Sequence, residues 1–208
     1  MDKNEQLIMV VKRDLLFLED YFHGFKPNTV NFESRILKNY EYMKRGLAED
    51  DPNYKQPIAY NIIINPEIEK VFVYQRSPDD KRYGEKRLQG KWSFGIGGHI
   101  EKIDSKNPIK ESMLREINEE IRIPIGFNER ILGYINDDTN SVGKVHFGIL
   151  YIVETDAKEI IPKDKEIKEG KFRSLEEIAK IIGSEDYNLE KWSEISFRPL
   201  KEFFLRRY

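Results

Sequence analysis

The chain has 208 residues, of which 35% are charged and 39% hydrophobic, and its formal net charge at pH 7 is −2. Acids and bases are interspersed, which argues against a broad nucleic-acid-binding surface because such a surface needs a clear basic excess. No apolar run approaches the roughly 20 residues of a membrane helix. The lack of cysteine excludes disulfides and thiolate chemistry, while the polar start of the chain, which has no apolar segment with a cleavage site, predicts a cytoplasmic protein.

Residues 1–55 are predicted to form an α/β extension that packs on a main domain of residues 56–208. Residues 6–11 predict a short strand, and apolar side chains at helical spacing predict an amphipathic helix over residues 32–47. His23 has no second ligand at metal spacing and is interpreted as structural. The extension could cover a sheet edge, shape the substrate pocket or form the subunit interface of a homodimer, and the sequence leaves these alternatives open.

A hairpin and a basic loop follow the extension. Residues 58–76 alternate around turn residues 65–67, which predicts two antiparallel strands. The loop 77–91 is rich in lysine and arginine, and such side chains bind anionic groups well. The candidate substrate-binding residues of this region are Arg76, Arg87 and Trp92. The alternatives are a solvated loop and, for the tryptophan, a packing role.

The next element is a helix, which follows the pair Gly97–Gly98 and a polar loop. Asn107 is a good N-cap, and Pro108 suits the first helical position because the N–H that proline lacks would be unpaired there. Apolar residues then repeat at helical spacing and predict one buried stripe. The stripe consists of Ile109, Met113, Leu114, Ile117 and Ile121.

Three glutamates, Glu116, Glu119 and Glu120, fall on one flank of this stripe. Like charges three and four residues apart on a helix repel each other, so a counter-charge is expected. Hard divalent cations such as Mg²⁺ or Mn²⁺ prefer oxygen ligands, and the Gly97–Gly98 pair would let the backbone come close enough for a carbonyl to join them. The alternative is a solvated acidic face, which the high charge content of the chain also favours.

Two strands are predicted after this helix, at residues 131–135 and 142–153. The turn between them holds Asp137 and Asp138, and aspartate in a turn usually serves the backbone. These two carboxylates are therefore not counted as metal ligands. His146 is interpreted as a cross-strand or pocket residue of the second strand.

The C-terminal part of the chain begins with a charged, loop-like segment, residues 154–169, and ends with two predicted helices. Ser174 and Glu177 give a capping box for the first helix. The second helix is expected over residues 189–204, broken or kinked at Pro199.

The stretch from Gly98 to Ile123 resembles the box of the Nudix (MutT-like) hydrolases, G-x5-E-x7-R-E-U-x-E-E-x-G-U with U aliphatic. Gly98 takes the place of the first glycine and Ile123 that of the last aliphatic residue. Arg115-Glu116-Ile117 matches R-E-U, and Glu119-Glu120 matches E-E.

The match has three departures from the pattern. The loop between the first glycine and the arginine is three residues longer. The first acidic position holds Asn107, for which Asp104 or Glu101 could substitute, and Arg122 replaces the late glycine. These departures leave open how Arg115 is paired and how the helix ends.

The resemblance implies a Nudix-type α/β/α sandwich with a mixed central sheet, in which the box helix lies against one face of the sheet. It also implies a Mg²⁺- or Mn²⁺-dependent hydrolase of a diphosphate bond, with a nucleoside diphosphate linked to another moiety X as substrate. In this chemistry divalent cations neutralise the phosphate oxygens and activate the attacking water.

The site residues are carried over position by position. Glu116 and Glu120 are implied as the first metal ligands, with Glu119 next and the Gly97 carbonyl completing the shell. Arg115 would orient these carboxylates by hydrogen bonds. The water proton would pass to Glu120 or to an acid of residues 154–169, where the candidates are Glu159, Glu166 and Glu169.

A wider similarity extends beyond the box. The Gly-Gly-His-Ile-Glu start and the runs at 132–138 and 142–148 look like a group of predicted Nudix phosphoesterases with a long N-terminal extension and no assigned substrate. Two alternatives stay open. A non-catalytic Nudix-fold nucleotide-binding module fits the departures from the box, and an isopentenyl diphosphate isomerase-like enzyme is opposed by the lack of cysteine.

Overall fold

The computed structural model describes residues 2–77, 89–104, 106–163, 165, 167–184 and 186–206. The chain divides into two compact units: unit 1 comprises residues 1–60, 97–115 and 131–151, and unit 2 comprises residues 61–96, 116–130 and 152–208. Each unit combines helices with strands, which confirms the predicted α/β class. No helix in the described ranges is long and apolar enough to span a membrane.

The elements are numbered in chain order. The helices are α1 (Arg13–Phe17), α2 (Phe32–Asn39), α3 (Arg45–Ala48), α4 (Pro108–Glu120), α5 (Ser141–Val145), α6 (Leu175–Ile182) and α7 (Lys191–Leu205). The strands are β1 (Leu7–Lys12), β2 (Gly24–Pro27), β3 (Tyr40–Lys44), β4 (Tyr54–Asn65), β5 (Lys70–Arg76), β6 (Trp92–Ser93), β7 (Ile121–Arg122), β8 (Phe127–Asn136), β9 (His146–Thr155), β10 (Ile161–Pro162) and β11 (Ile167–Ser174).

The strands with residues in unit 1 follow the order β4-β9-β8-β2, and β1 pairs with both β3 and β4. An aromatic cluster packs helices α1 and α2 onto this sheet. The rings of Phe17 in α1 and Phe32 in α2 lie 5.8 and 5.4 Å from that of Phe147 in β9, measured between centroids. Phe32 also lies 5.0 Å from Tyr134 in β8. Because such aromatic pairs add to the free energy of hydrophobic burial, α1 and α2 contribute to the core of unit 1.

The prediction of a single helix over residues 32–47 is wrong. The chain instead forms α2, β3 and α3 in turn, and β3 runs antiparallel to β1 with Tyr42 opposite Met9. Of the predicted apolar stripe, Phe32 and Ile36 are the fully buried members. Strand β1 offers backbone partners to the Tyr-Glu-Tyr-Met-Lys segment, and this tertiary pairing outweighs the helical periodicity.

The strand predicted over residues 142–153 begins later than expected, at His146. The preceding residues form α5, which Asn140 caps by accepting the Gly143 N–H at 2.9 Å. A Cβ on Gly143 would lie 1.7 Å from the Asp137 carbonyl oxygen, so glycine permits this close approach. The local cap outweighs the strand preference of the valines.

Unit 2 contains the strand order β11-β5-β4, with β6 paired to β5 and a separate ribbon of β7 and β10. The predicted hairpin is confirmed by the antiparallel pairing of Ile64 with Val71. The capping box of Ser174 and Glu177 at the start of α6 is also confirmed. The segment 154–169 is less loop-like than predicted, because it contains β10 and the start of β11.

The predicted break at Pro199 does not occur, because α7 continues through this residue. Leu200 and Phe203, in the second half of the helix, are both buried. Their packing offsets the backbone hydrogen bond that proline cannot donate.

An ion pair between the buried Lys55 and the half-buried Asp138 joins β4 to the segment before α5 in unit 1. The fully buried Lys55 ammonium donates to the Asp138 carboxylate and to the Gly143 carbonyl, each at 2.8 Å, and to the His146 carbonyl at 3.2 Å. Burial lowers the pKa of Lys55 to about 8. With these three acceptors, the lysine fixes the chain between β8 and β9 against β4.

The turn interpretation holds for Asp137 but not for Asp138. Asp137 accepts the backbone N–H of Thr139 at 3.1 Å. Asp138 instead accepts hydrogen bonds from Lys55, Arg13 and Tyr21. Burial alone would raise the pKa of Asp138, but these three donors outweigh that effect and hold the pKa well below its ordinary value of 3.8.

Replacing Asp138 by Asn should lower the free energy of unfolding at neutral pH by about 3 kcal/mol, because the buried lysine loses its counter-charge. An ionised carboxylate with a depressed pKa stabilises the fold above the unfolded pKa of 3.8, and this contribution is lost as the pH falls below that value. The difference between wild type and variant in urea denaturation should therefore shrink below about pH 4.

The matched control is Asp156→Asn, since Asp156 is exposed. Its effect on the unfolding free energy should stay within about 0.5 kcal/mol. Equal unfolding free energies for Asp138→Asn and wild type at pH 7 would contradict the role assigned to this ion pair.

Candidate active site

The box helix α4 starts where the sequence predicts. The Asn107 side chain accepts the Lys110 N–H at 3.3 Å, as an N-cap does. The Glu111 carboxylate accepts the N–H groups of Lys106 and Asn107, both at 3.2 Å. Four of the five predicted stripe residues are buried, namely Ile109, Met113, Ile117 and Ile121. The predicted stripe is thereby confirmed as the core-facing side of the helix.

Arg115 is paired with Asp104, which settles the open question about the first acidic position of the box. The guanidinium donates to both carboxylate oxygens, at 3.2 and 3.1 Å, and Nη1 lies 3.5 Å from Glu101 Oε1. Arg115 Nη2 also donates to the His99 carbonyl at 2.8 Å. A two-point guanidinium–carboxylate contact is geometrically specific. The longer loop thus brings a buried aspartate into contact with Arg115.

Gly97 lies directly against β4. A Cβ on this residue would be 2.1 Å from the Ala59 carbonyl oxygen, and the next residue but one, His99, forms an antiparallel bridge with Ile58. The strand therefore explains why glycine is needed at this position. The role of its own carbonyl as a metal ligand stays a prediction.

The three carboxylates among the four predicted metal ligands occupy the last turns of α4, in unit 2. Glu120 is buried, Glu116 is half-buried and Glu119 is exposed. Lys163 holds the end of the helix, because its N–H donates to the Glu120 carbonyl at 2.8 Å and its ammonium donates to the Asn118 carbonyl at 2.6 Å. These contacts hold the backbone that carries Glu116 and Glu120, which lie one helical turn apart.

The replacement of the late glycine by Arg122 also has a structural explanation. After Glu120 the chain continues as strand β7, in which Ile121 is buried and Arg122 is exposed. Arg122 pairs with Ile161 of β10, so the helix ends in a strand rather than in a glycine turn. A side chain is therefore tolerated at this position.

A second group of ligand-type side chains lies in unit 1. His99 Nε2 is 3.2 Å from His146 Nε2, and Glu49 Oε1 is 3.8 Å from each of these nitrogens. Burial and the nearby Arg45 lower the pKa of His99 well below its ordinary value, so the ring is neutral at pH 7. Sequence reasoning missed this group because its members are far apart along the chain, and the only available signal was that two of the three histidines fall in the Nudix-like region.

A model of the NUDIX domain matches residues 55–193 of the chain. The chain belongs to the Nudix family. It is 36% identical over 207 residues to protein YmaB of Bacillus subtilis (strain 168), an alignment that covers 93% of this chain and 97% of that protein. The family assignment makes the protein a hydrolase of diphosphate bonds.

Solved structures agree with the family assignment. The crystal structure of Tm1382, described as a candidate Nudix hydrolase, has a TM-score of 0.78 and 27% identity, and the match covers 95% of this chain and 100% of that one. The NUDIX domain of NrtR from Shewanella oneidensis, solved with ADP ribose, shares the fold at a TM-score of 0.55 and 14% identity over 72% of this chain and 88% of that one. The predicted Nudix-type fold is confirmed.

The predicted substrate contacts of this Nudix protein lie in different surroundings. Arg76 is buried and forms an ion pair with Glu190. Trp92 is half-buried, and its ring lies 5.3 Å from that of Tyr187 in an edge-to-face contact, as a packing residue does. Arg87 lies outside the described residues. Substrate contact by these three side chains stays a prediction.

The three glutamates of residues 154–169 that are candidate bases lie in different places. Glu159 is exposed between β9 and β10, and Glu169 is exposed on β11 opposite Gln75. Glu166 lies outside the described residues. None of these placements decides which carboxylate takes the proton.

Replacing Gly97 by Ala should lower the free energy of unfolding by about 1–3 kcal/mol, because the new methyl group overlaps the Ala59 carbonyl and the backbone must shift. Gly126→Ala is the matched control, since a Cβ there has nothing within 4 Å. Thermal unfolding measures both variants. A Gly97→Ala protein as stable as Gly126→Ala would show that the close approach is not required.

Proposed function

We propose that this Nudix protein hydrolyses a nucleoside diphosphate linked to another moiety X, in a reaction that depends on Mg²⁺ or Mn²⁺. The observation that carries the proposal is the end of α4, where the buried Glu120 and the half-buried Glu116 lie one turn apart. They match the first and last glutamates of the R-E-U-x-E-E part of the box. The proposed third and fourth ligands of the cation are the Glu119 carboxylate and the Gly97 carbonyl oxygen.

The chemistry of the donor set supports a hard divalent cation. All the proposed ligands are oxygen atoms, which Mg²⁺ and Mn²⁺ prefer. A buried carboxylate beside another of like charge is costly unless a cation is close. When bound, such a cation neutralises the diphosphate oxygens and lowers the pKa of a coordinated water molecule.

The protein residues would then position and deprotonate the water. Arg115 is a positioning residue, because through Asp104 and the His99 carbonyl it fixes the turn of α4 that precedes Glu116. Glu120, or one of the acids of residues 154–169, accepts the proton of the water molecule. The water oxygen bonds to phosphorus, and the bridging phosphorus–oxygen bond breaks to release a second phosphate compound.

The choice of test compounds is supported by the family and by one structural neighbour. The Nudix domain of NrtR was solved with ADP ribose, a nucleoside diphosphate joined to a sugar. ADP ribose and nucleotide sugars are therefore the first compounds to test, followed by dinucleotides and nucleoside triphosphates. In this proposal residues 56–208 form the Nudix domain and residues 1–55 form its extension.

Incubation of the protein with this panel should give metal-dependent release of a nucleoside monophosphate from at least one compound, and EDTA should stop the release. Chromatography of the nucleotides and a phosphate assay measure the products. Failure of every compound, with one of them still raising the thermal unfolding temperature, would replace the hydrolase proposal by a binding function.

Replacing Glu120 by Gln should reduce turnover of the best substrate by more than about 100-fold, because a ligand contributes at least as much as the groups that orient it. The near-isosteric change should leave the circular dichroism spectrum and the unfolding temperature close to those of wild type.

The matched control is Glu111→Gln on the same helix, whose amide oxygen can still accept the N–H groups of Lys106 and Asn107. This variant should retain wild-type turnover. Full activity of Glu120→Gln would remove Glu120 from the proposed metal site.

A further inference from the structure

We infer that Glu49, His99 and His146 form a separate binding site for a divalent transition-metal ion, with Zn²⁺ as the best match. The ligand atoms of the three residues all lie within 4.8 Å of one another in unit 1. This donor set, two imidazoles and one carboxylate, differs from the all-oxygen set of α4. The inference does not depend on the proposed hydrolysis.

The tautomer of His146 shows that a lone pair points into the group. His146 Nδ1 lies 2.7 Å from the Val142 carbonyl oxygen, which can only accept a hydrogen bond. Nδ1 therefore carries the proton, and in the neutral ring Nε2 presents its lone pair to His99 and Glu49. A backbone carbonyl that holds the far nitrogen of a histidine is the usual outer contact of a metal ligand.

The spacing of the three ligand atoms matches a tetrahedral site. Metal–ligand bonds of about 2.1 Å place neighbouring ligands of a tetrahedral Zn²⁺ about 3.4 Å apart. The observed separations are 3.2 Å between the two Nε2 atoms and 3.8 Å from each of them to Glu49 Oε1. Small side-chain movements would close the site around one ion.

The donor types favour Zn²⁺ over the hard cations. Imidazole nitrogen suits Zn²⁺ and related transition metals, whereas Mg²⁺ prefers carboxylates, carbonyls and water. Two histidines and one glutamate are an established zinc ligand set that leaves a fourth position open. The buried side chain of Gln56 lies beside His99, with Oε1 2.7 Å from His99 Nε2. An amide oxygen only accepts, so Nε2 donates in this contact, and metal binding requires the His99 proton to lie on Nδ1 instead. The fourth ligand is this amide oxygen or a water molecule.

The carboxylate of Glu49 has a second charged neighbour. Arg45 Nε lies 3.6 Å from the same Oε1 atom, and both residues belong to α3 or its C-terminal cap. At this distance the contact is an ion pair without a hydrogen bond, and such a neighbouring charge helps to orient a ligating carboxylate. Arg45 therefore competes only in part with the metal ion for the Glu49 carboxylate.

Zn²⁺ at this position would cross-link three segments of unit 1. Glu49 belongs to the N-terminal extension, His146 begins β9, and His99 follows the glycine pair of the box. The His99 carbonyl is also the acceptor for Arg115. The ion would thus tie the extension to the loop that leads into α4, which gives residues 1–55 a defined role.

The test is Zn²⁺ binding to the full chain after removal of metals with a chelator. Isothermal titration with Zn²⁺ in the presence of excess Mg²⁺ should show one ion per chain, and Zn²⁺ should raise the thermal unfolding temperature. Co²⁺ added to the metal-free protein should give the visible absorption of a four-coordinate site with nitrogen ligands.

His99→Ala and His146→Ala should each weaken Zn²⁺ binding by at least about 100-fold, since loss of a ligand costs more than loss of an outer contact. Glu49→Gln, the most conservative change, should weaken binding in the same direction and remains informative if a histidine variant fails to fold. His23→Ala is the matched control, because His23 is the third histidine and its side chain is 52% exposed. It should bind Zn²⁺ as wild type does.

Glu120→Gln separates the two metal sites, because it removes a proposed ligand of α4 and should leave Zn²⁺ affinity unchanged. The inference is overturned if the wild-type chain takes up no Zn²⁺, or if His99→Ala, His146→Ala and Glu49→Gln retain its affinity. It is also overturned if Glu120→Gln abolishes Zn²⁺ binding, since the ion then occupies the carboxylates of α4.

Discussion

The contact between Arg115 and Asp104 is the constraint on which the arrangement of the box depends. The guanidinium binds both oxygens of a buried carboxylate and, at the same time, the carbonyl of His99. Asp104 in turn accepts the Glu101 N–H at 2.9 Å. Loop and helix are therefore joined at several points, and removing one partner would leave a buried charge without compensation. The arginine needs a carboxylate partner, and the longer loop supplies one in Asp104.

Local signals made much of unit 2 and of α4 predictable from the sequence. The cap at Asn107, the apolar stripe below it and the capping box at Ser174 each depend on residues within one or two turns of each other. The hairpin of β4 and β5 likewise follows from its own alternation and turn. In each case the sequence neighbours that carry the signal also form the contact.

The errors arose where distant segments decide the local structure. Residues 40–44 have helical periodicity, yet they form a strand because β1 provides backbone partners. Asp138 lies in a turn-like sequence, but its partner Lys55 is 83 positions away. His99 and His146 are separated by 47 positions, with no spacing rule to connect them. Such contacts depend on the order of strands in the sheet, which periodicity alone does not provide.

The central claim is that the carboxylates at the end of α4 hold the catalytic divalent cation. The most direct measurement is a crystal structure of the protein with Mn²⁺ and a methylene-bridged diphosphate analogue that cannot be hydrolysed, with anomalous diffraction data that locate the manganese. The account predicts an anomalous peak in contact with the carboxylates of Glu116 and Glu120. Manganese bound elsewhere, with both carboxylates free of metal in the presence of the analogue, would contradict it.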